Sequence, residues 1–333
     1  MTWTDLLPAG ATAQVGGDVD VDELTALARD VEERFEGHAR RTSADLAHDL
    51  SAPDFDADED IVRIWDADGY LVAAALAHYR MPYVASFTEL HVAPKTDRPA
   101  LVVAAEAWAR ELAMSRIGRA PEGTQVSIAV GCHGDDREVA DVVTSLGYRQ
   151  ERFFLEMVRA FDGPVTEIAI PEGIEVRNIR ADEDVDGLAA AVADAFRDHF
   201  GFTEQPLERR IERWRHWRTQ DEWDDGLVWF AEDGDEIAGV NVCLRQHGSD
   251  GTQGYVASLG VRREWRGRGL AKALLLLSFA EYEQRGMGSV SLHVDADSLT
   301  GATRLYEGVG MEETNRHVDF ELVLRPGEDL MVR

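Results

Sequence analysis

Lysine is nearly missing from this chain of 333 residues, occurring only at Lys95 and Lys272, and cysteine is confined to Cys132 and Cys243. Two thiols so far apart exclude a disulfide framework and offer no metal-ligand spacing, so no metal is expected. Basic side chains number 34 against 63 acidic ones, for a net charge of −29. Binding to nucleic acid draws on clustered Lys and Arg that displace counterions from phosphates, so this balance argues against a nucleic-acid partner. No apolar run approaches the roughly 20 residues that span a bilayer. Met1 to Gly10 has no Lys or Arg ahead of its short apolar stretch, so no membrane partner and a cytoplasmic location are expected. Biased tracts are lacking too. With 44% hydrophobic residues, the chain reads as soluble and globular, and its length suits two domains of about 150 residues.

What is present comes twice. Asp18 to Leu24 is echoed by Asp182 to Leu188, 164 residues further on. Two hairpins follow, with Asp-Gly turns between alternating apolar runs. The first joins Ile61–Trp65 to Leu71–Leu76 through Asp68-Gly69; the second joins Leu227–Phe230 to Ile237–Leu244 through Asp233-Gly234. Each half then has a strand ending in valine (Val92, Val261), a loop, and a helix of 3.6-residue periodicity (Leu101–Leu112, Leu270–Tyr282). A short strand (Gln125–Val130, Ser289–Val294), a second helix, a turn at Gly147-Tyr148 or Gly310-Met311, and a last strand close both. The duplication predicts two similar α/β (α+β) domains in tandem, each a mixed, mostly antiparallel sheet flanked by helices. Phe161-Asp162-Gly163-Pro164 and Ile170-Pro171-Glu172-Gly173 flank a connector, so the domains are expected at 1–162 and 163–333.

The chemistry concentrates in the second half. Tyr255 to Val261 reads as a strand that runs through Arg262–Trp265 into Arg266-Gly267-Arg268-Gly269-Leu270-Ala271 and then a helix. Glycines at a strand-to-helix turn let backbone N–H groups converge on a phosphate, and the helix N-terminus adds its positive end. Arg266 and Arg268 would add cationic donors. Arg-x-x-Gly-x-Ala after a strand ending Leu-Gly-Val resembles the coenzyme-A signature of the GNAT acyltransferase superfamily. A second marker of that superfamily, a helix with Ser or Asn at its start, then Ala, Leu-Tyr and a Gly turn, is matched by Ser298, Ala302, Leu305-Tyr306 and Gly310-Met311. The resemblance covers Glu175 to Leu324 well and Val19 to Ala160 in outline. Its tandem layout is similar to that of two-domain actinobacterial acetyltransferases.

The resemblance implies an N-acetyltransferase that passes the acetyl group of acetyl-CoA, its cosubstrate, to a primary amine of a small molecule by direct attack. The developing oxyanion would meet a main-chain N–H where the fourth strand splays, the position of Leu259, Gly260 and Val261. Arg266, Gly267, Arg268, Gly269, Leu270, Ala271 and Ser298 would contact the coenzyme. Tyr306 would be the general acid for the departing thiolate. Relatives often carry a basic glutamate on the fourth strand, where this chain has Tyr255 and Ser258. His199, in the loop after the first helix, is the candidate base. Asp198, Tyr255 and His293 are candidate acceptor contacts.

The first half lacks this equipment. Aligning Val92 with Val261 sets Arg98-Pro99-Ala100 opposite Gly267-Arg268-Gly269, and aligning Gly147 with Gly310 sets Val143 opposite Tyr306. Proline has no N–H to donate, and a β-carbon crowds the close approach of a phosphate. The N-terminal domain is therefore expected to be a degenerate copy and the C-terminal one catalytic, in a monomer or homodimer. Two other readings stay open: a protein or peptide N-acetyltransferase, and a non-catalytic acetyl-CoA-binding sensor.

Overall fold

Gly69 and Gly234 turn the two hairpins with φ of 85° and 62°, backbone that glycine adopts without strain. Around those turns the alternating runs become strands where the pattern predicts them. The computed structural model describes every residue except 1, 164, 166, 167 and 298–300. The first copy runs β1 (Thr12–Val15), α1 (Val21–Glu36), α2 (Ser43–Leu50), β2 (Ile61–Trp65), β3 (Leu71–Tyr79), β4 (Ala85–Val92), α3 (Arg98–Arg116), β5 (Val126–His133), α4 (Arg137–Ser145) and β6 (Arg149–Ala160). The second runs β7 (Ile174–Asn178), α5 (Val185–Ala195), α6 (Leu207–Trp217), β8 (Trp223–Asp233), β9 (Glu236–Leu244), β10 (Gln253–Val261), α7 (Leu270–Gln284), β11 (Ser289–Asp295), α8 (Ala302–Glu307) and β12 (Glu312–Arg325). An extra leading strand and an extra second helix in each copy were not legible from the pattern.

The chain forms two compact units, and they are not consecutive stretches. Unit 1 is Met1–Phe154 with Asn315–Met331; unit 2 is Leu155–Thr314 with Val332–Arg333. The division expected at 162/163 separates the copies in sequence. In space each unit takes its last strand from the other copy: unit 1 orders its strands β1-β2-β3-β4-β5-β12, and unit 2 β7-β8-β9-β10-β11-β6. In unit 1, β12 lies antiparallel to β5, from His317 opposite His133 to Arg325 opposite Val126. The two last strands follow equivalent turns in similar copies, so either can complete either sheet; such an exchange of like elements conserves the pairing.

One pair in each unit is parallel, β4 with β5 and β10 with β11, while β1 to β4, β7 to β10, and β5 with β12 pair antiparallel. In unit 2, α7 buries Leu270, Leu274, Leu275 and Phe279 on one face of the sheet, with Val256, Leu292 and Tyr306 in the same apolar cluster. On the other face α5 contributes Val185, Leu188 and Ala191 against Val228, Phe230, Val240 and Val242. Among the described residues, no helix is long and apolar enough to cross a membrane.

Candidate active site

The site grows from a fork in the unit 2 sheet. β10 and β11 pair in parallel from Gln253 opposite Ser289 to Val256 opposite Leu292, and there the pairing ends. At the same point β10 carries a bulge against β9, between Val256 and Ser258, and bulges re-aim a strand. Beyond it β10 keeps β9 on one side only, with Leu259 opposite Asn241 and Val261 opposite Gly239. Arg262 N–H donates to the Ala238 carbonyl of β9 at 2.9 Å. Alternation along the strand then turns the N–H and C=O groups of Leu259 and Val261 to the open side of the fork. The Val261 carbonyl does accept from a loop side chain there, Arg266 Nε at 3.0 Å. Gly260 has a different duty. A β-carbon on it would sit 2.9 Å from Ala195 Cβ and 3.0 Å from the Phe196 ring, so glycine lets the end of α5 close on β10.

The strand then enters a loop whose two glycines have φ of 76° (Gly267) and 84° (Gly269), with nothing within 4 Å of a β-carbon built on either. Gly269 is the N-cap of α7, and no side chain caps the helix. The first amides of a helix have no partner within it, so those at Leu270, Ala271 and Lys272 face outward with the positive end of the helix dipole. No acidic residue stands in this first turn. Arg268 and Lys272 are exposed there, and neither pairs with an acid among the described residues. These residues fit a pyrophosphate.

Arg266 is occupied elsewhere. Its two terminal nitrogens reach Asp198 Oδ2 at 2.5 Å and Oδ1 at 2.9 Å, and one of them also donates to the Ala195 carbonyl at 2.7 Å. The expected roles, Arg266 as a donor to phosphate and Asp198 as a contact to the acceptor substrate, therefore meet a bidentate ion pair between the two. Hydrogen bonding from Arg266 holds the Asp198 carboxyl well below the usual range. His199 follows, half-buried, with its ring 4.6 Å from that of Phe196. Burial lowers the His199 pKa, and Arg266 lowers it further against the opposing pull of Asp198 and Asp295.

Tyr255 and His293 meet at the fork, the hydroxyl 3.0 Å from His293 Nδ1. His247, which sequence reasoning missed because it lies in the β9–β10 loop, stacks on Tyr255 at 4.4 Å and bonds Ser291 Oγ at 2.8 Å. Tyr306 lies on α8, buried in the apolar cluster that also holds Leu270 and Val294. Burial pushes its pKa up to about 12, and its hydroxyl bonds to no described residue. Ser298 lies outside the described residues.

The family model described as acetyltransferase (GNAT) family matches residues 189–311, from within α5 to the turn before β12. Unit 2 is a GNAT acyltransferase domain. The mycothiol acetyltransferase of Thermobispora bispora is 32% identical over 190 residues, which cover 55% of this chain and 61% of that relative's own length. The mycothiol acetyltransferase of Rhodococcus erythropolis is 29% identical over 333 residues, covering 96% of this chain and 98% of the relative. The crystal structure of a GCN5-related N-acetyltransferase from Sphaerobacter thermophilus superposes with a TM-score of 0.80 at 28% identity, covering 97% of this chain and 99% of that one.

Unit 1 repeats the GNAT-like fork, with β4 and β5 parting after Thr88 opposite Val130, but closes the loop beyond it. Pro99 stands in the first turn of α3, and the N-cap Asp97 accepts from the Ala100 N–H. Arg98, only 3% exposed, pairs with the equally buried Asp136 and meets Glu138 at 2.9 Å. Val143, the counterpart of Tyr306, is fully buried.

Proposed function

We propose that this chain transfers the acetyl group of acetyl-CoA to a primary amine of a small molecule, by direct attack of the amine on the thioester. One observation carries the reading: β10 splays from β11 at Val256 and runs into an uncapped helix end framed by Gly267 and Gly269. A fork supplies a backbone donor for a carbonyl oxygen, and the loop supplies donors for phosphates, in one continuous stretch of chain. The name of the two relatives supports a small-molecule acceptor.

The residues then divide the work. The N–H groups of Gly267 to Ala271, with Arg268 and Lys272, hold the pyrophosphate. Leu259 N–H faces the thioester oxygen, where a preorganised donor is worth about 3 kcal/mol as negative charge develops. His199, neutral at pH 7, takes the proton released by the attacking amine. Tyr306 donates to the departing sulfur. Tyr255 and His293 line the acceptor side.

The experiment is an acetyl-CoA turnover screen over a library of amines, following release of free thiol. Thiol release with one class of small amine is expected. Gly269→Glu should abolish acetyl-CoA binding, since a carboxylate would stand in the phosphate position; Gly269→Ala isolates the strain of a β-carbon at positive φ, about 1–2 kcal/mol. A protein that binds acetyl-CoA yet turns over no amine would be a sensor and overturn the proposal.

A further inference from the structure

The loop that faces the coenzyme also grips the acceptor side. Arg266 sends its side chain back across β10, with Nε to the Val261 carbonyl at 3.0 Å, one terminal nitrogen to the Ala195 carbonyl at 2.7 Å, and the bidentate pair to Asp198. Arg263 adds a contact to Asp198 at 3.2 Å. Arg262 meets Asp194 at 2.7 Å and donates to the Ile237 carbonyl at 3.1 Å. Three arginines of one short loop thus hold the end of α5 and the start of the segment that carries His199. Gly260 makes room for that contact. The loop therefore has two sides. The amides of 267–271 open outward, while the side chains of 262, 263 and 266 close on Asp194 and Asp198.

We propose that Asp198 is a positioning residue that couples the coenzyme loop to His199, so that coenzyme A bound at Gly267–Ala271 fixes Arg266, and Arg266 through Asp198 fixes the 196–203 segment. The inference rests on the reading of 267–271 as the coenzyme site. Coupling between two sites is reciprocal, so an intact Asp198 also tightens the coenzyme, although it touches no phosphate. That sign opposes bare electrostatics. A carboxylate near a phosphate site repels it, so its removal should strengthen binding, and the more so because Arg266 would be released to make charge-assisted bonds of its own. Asp198 is ionised at neutral pH through its Arg266 bonds, so Asp198→Asn removes a real charge.

The test is titration of free coenzyme A into the wild type, Asp198→Asn and Arg266→Lys, with hydrogen exchange of the 196–203 amides measured with and without coenzyme A. Coenzyme A should raise protection of those amides roughly tenfold in the wild type, within the usual range of coupling between sites. Both variants should bind it about fivefold or more weakly and gain no protection. Arg266→Lys keeps the charge and loses the fork geometry, so it decides the matter where Asp198→Asn fails to fold. Asp198→Asn binding as tightly as the wild type or tighter, or a wild-type segment whose exchange ignores coenzyme A, overturns the coupling and leaves the coenzyme site standing. A wild type that does not bind coenzyme A overturns the proposed function, and the coupling with it.

Discussion

The ring of Tyr282 lies where a β-carbon on Gly254 would fall, its nearest atom 2.4 Å from that position. From α7 the Tyr282 hydroxyl donates to the Leu244 carbonyl at 2.6 Å and accepts from the Tyr255 N–H at 3.2 Å. It so pins β9 and β10 together just before the bulge that opens the fork. Gly254→Ala forces the ring or the strand to move, and such overpacking costs about 1–3 kcal/mol. Urea unfolding should show the midpoint falling by that loss divided by the slope, with the slope itself unchanged. A Gly254→Ala variant as stable as its parent would show that the strand gives way freely.

Tyr306→Phe is expected to lower kcat by about 10²-fold while acetyl-CoA affinity stays nearly the same. With its pKa pushed up to about 12 by burial, the phenol is a weaker acid than a thiol of about 8.5. In the proposed reaction it would therefore help by hydrogen bonding to the charge that builds on sulfur, keeping its own proton at every working pH. Its hydroxyl has no bond to a described residue, so the melting temperature should not move. Wild-type turnover in the Phe variant would show that the departing sulfur needs no hydrogen bond from Tyr306.

As the proposed base, His199 should set the acid limb of the pH profile. Its folded pKa lies below the ordinary value, through burial first and then Arg266, and a base must be neutral to act. The limb of kcat/KM should therefore lie below about pH 6.5. The stability contribution has the matching sign: the folded chain binds fewer protons than the unfolded one in this window, so stability is full above about pH 6.5 and lost as pH falls through the folded value. His199→Gln should erase the limb and cut kcat/KM by about 10²-fold or more. A limb that survives the substitution means that another group is the base.

The parts legible in the sequence are those set by local chemistry. Asp-Gly turns, alternation and a glycine-framed helix start depend on residues within a few positions of one another, and the hairpins, β10 and the first turn of α7 follow from them. Alternation tells that β6 and β12 are strands but not which sheet they enter, because either sheet offers the same open edge. Arg266 reads as a phosphate ligand until its partner Asp198, 68 residues earlier, is seen beside it. Gly260 carries the same lesson. Leu-Gly-Val suggests a coenzyme contact, and only the fold shows in addition that a β-carbon at Gly260 would strike Ala195 and Phe196. His247 had no motif at all; only the fold of its loop stacks it on Tyr255.

One chain should bind one coenzyme A, in unit 2, although the fork is built twice. A lost backbone donor at Pro99 costs only about 1 kcal/mol of hydrogen bonding, which would weaken a site without erasing it. The first turn of α3 differs in two further ways, however. Its N-cap carboxylate, Asp97, accepts from the Ala100 N–H, and so brings negative charge to the end of the helix where a phosphate would need positive charge. Arg98, the counterpart of Gly267, carries a side chain that cannot turn to a ligand without leaving Asp136, and breaking a buried ion pair costs about 3–5 kcal/mol. Together these terms exceed what a few backbone contacts return. Calorimetry at saturating acetyl-CoA should give a stoichiometry near one, falling to none in Gly269→Glu. A value near two, or binding that survives Gly269→Glu, would refute the assignment and return a coenzyme site to unit 1.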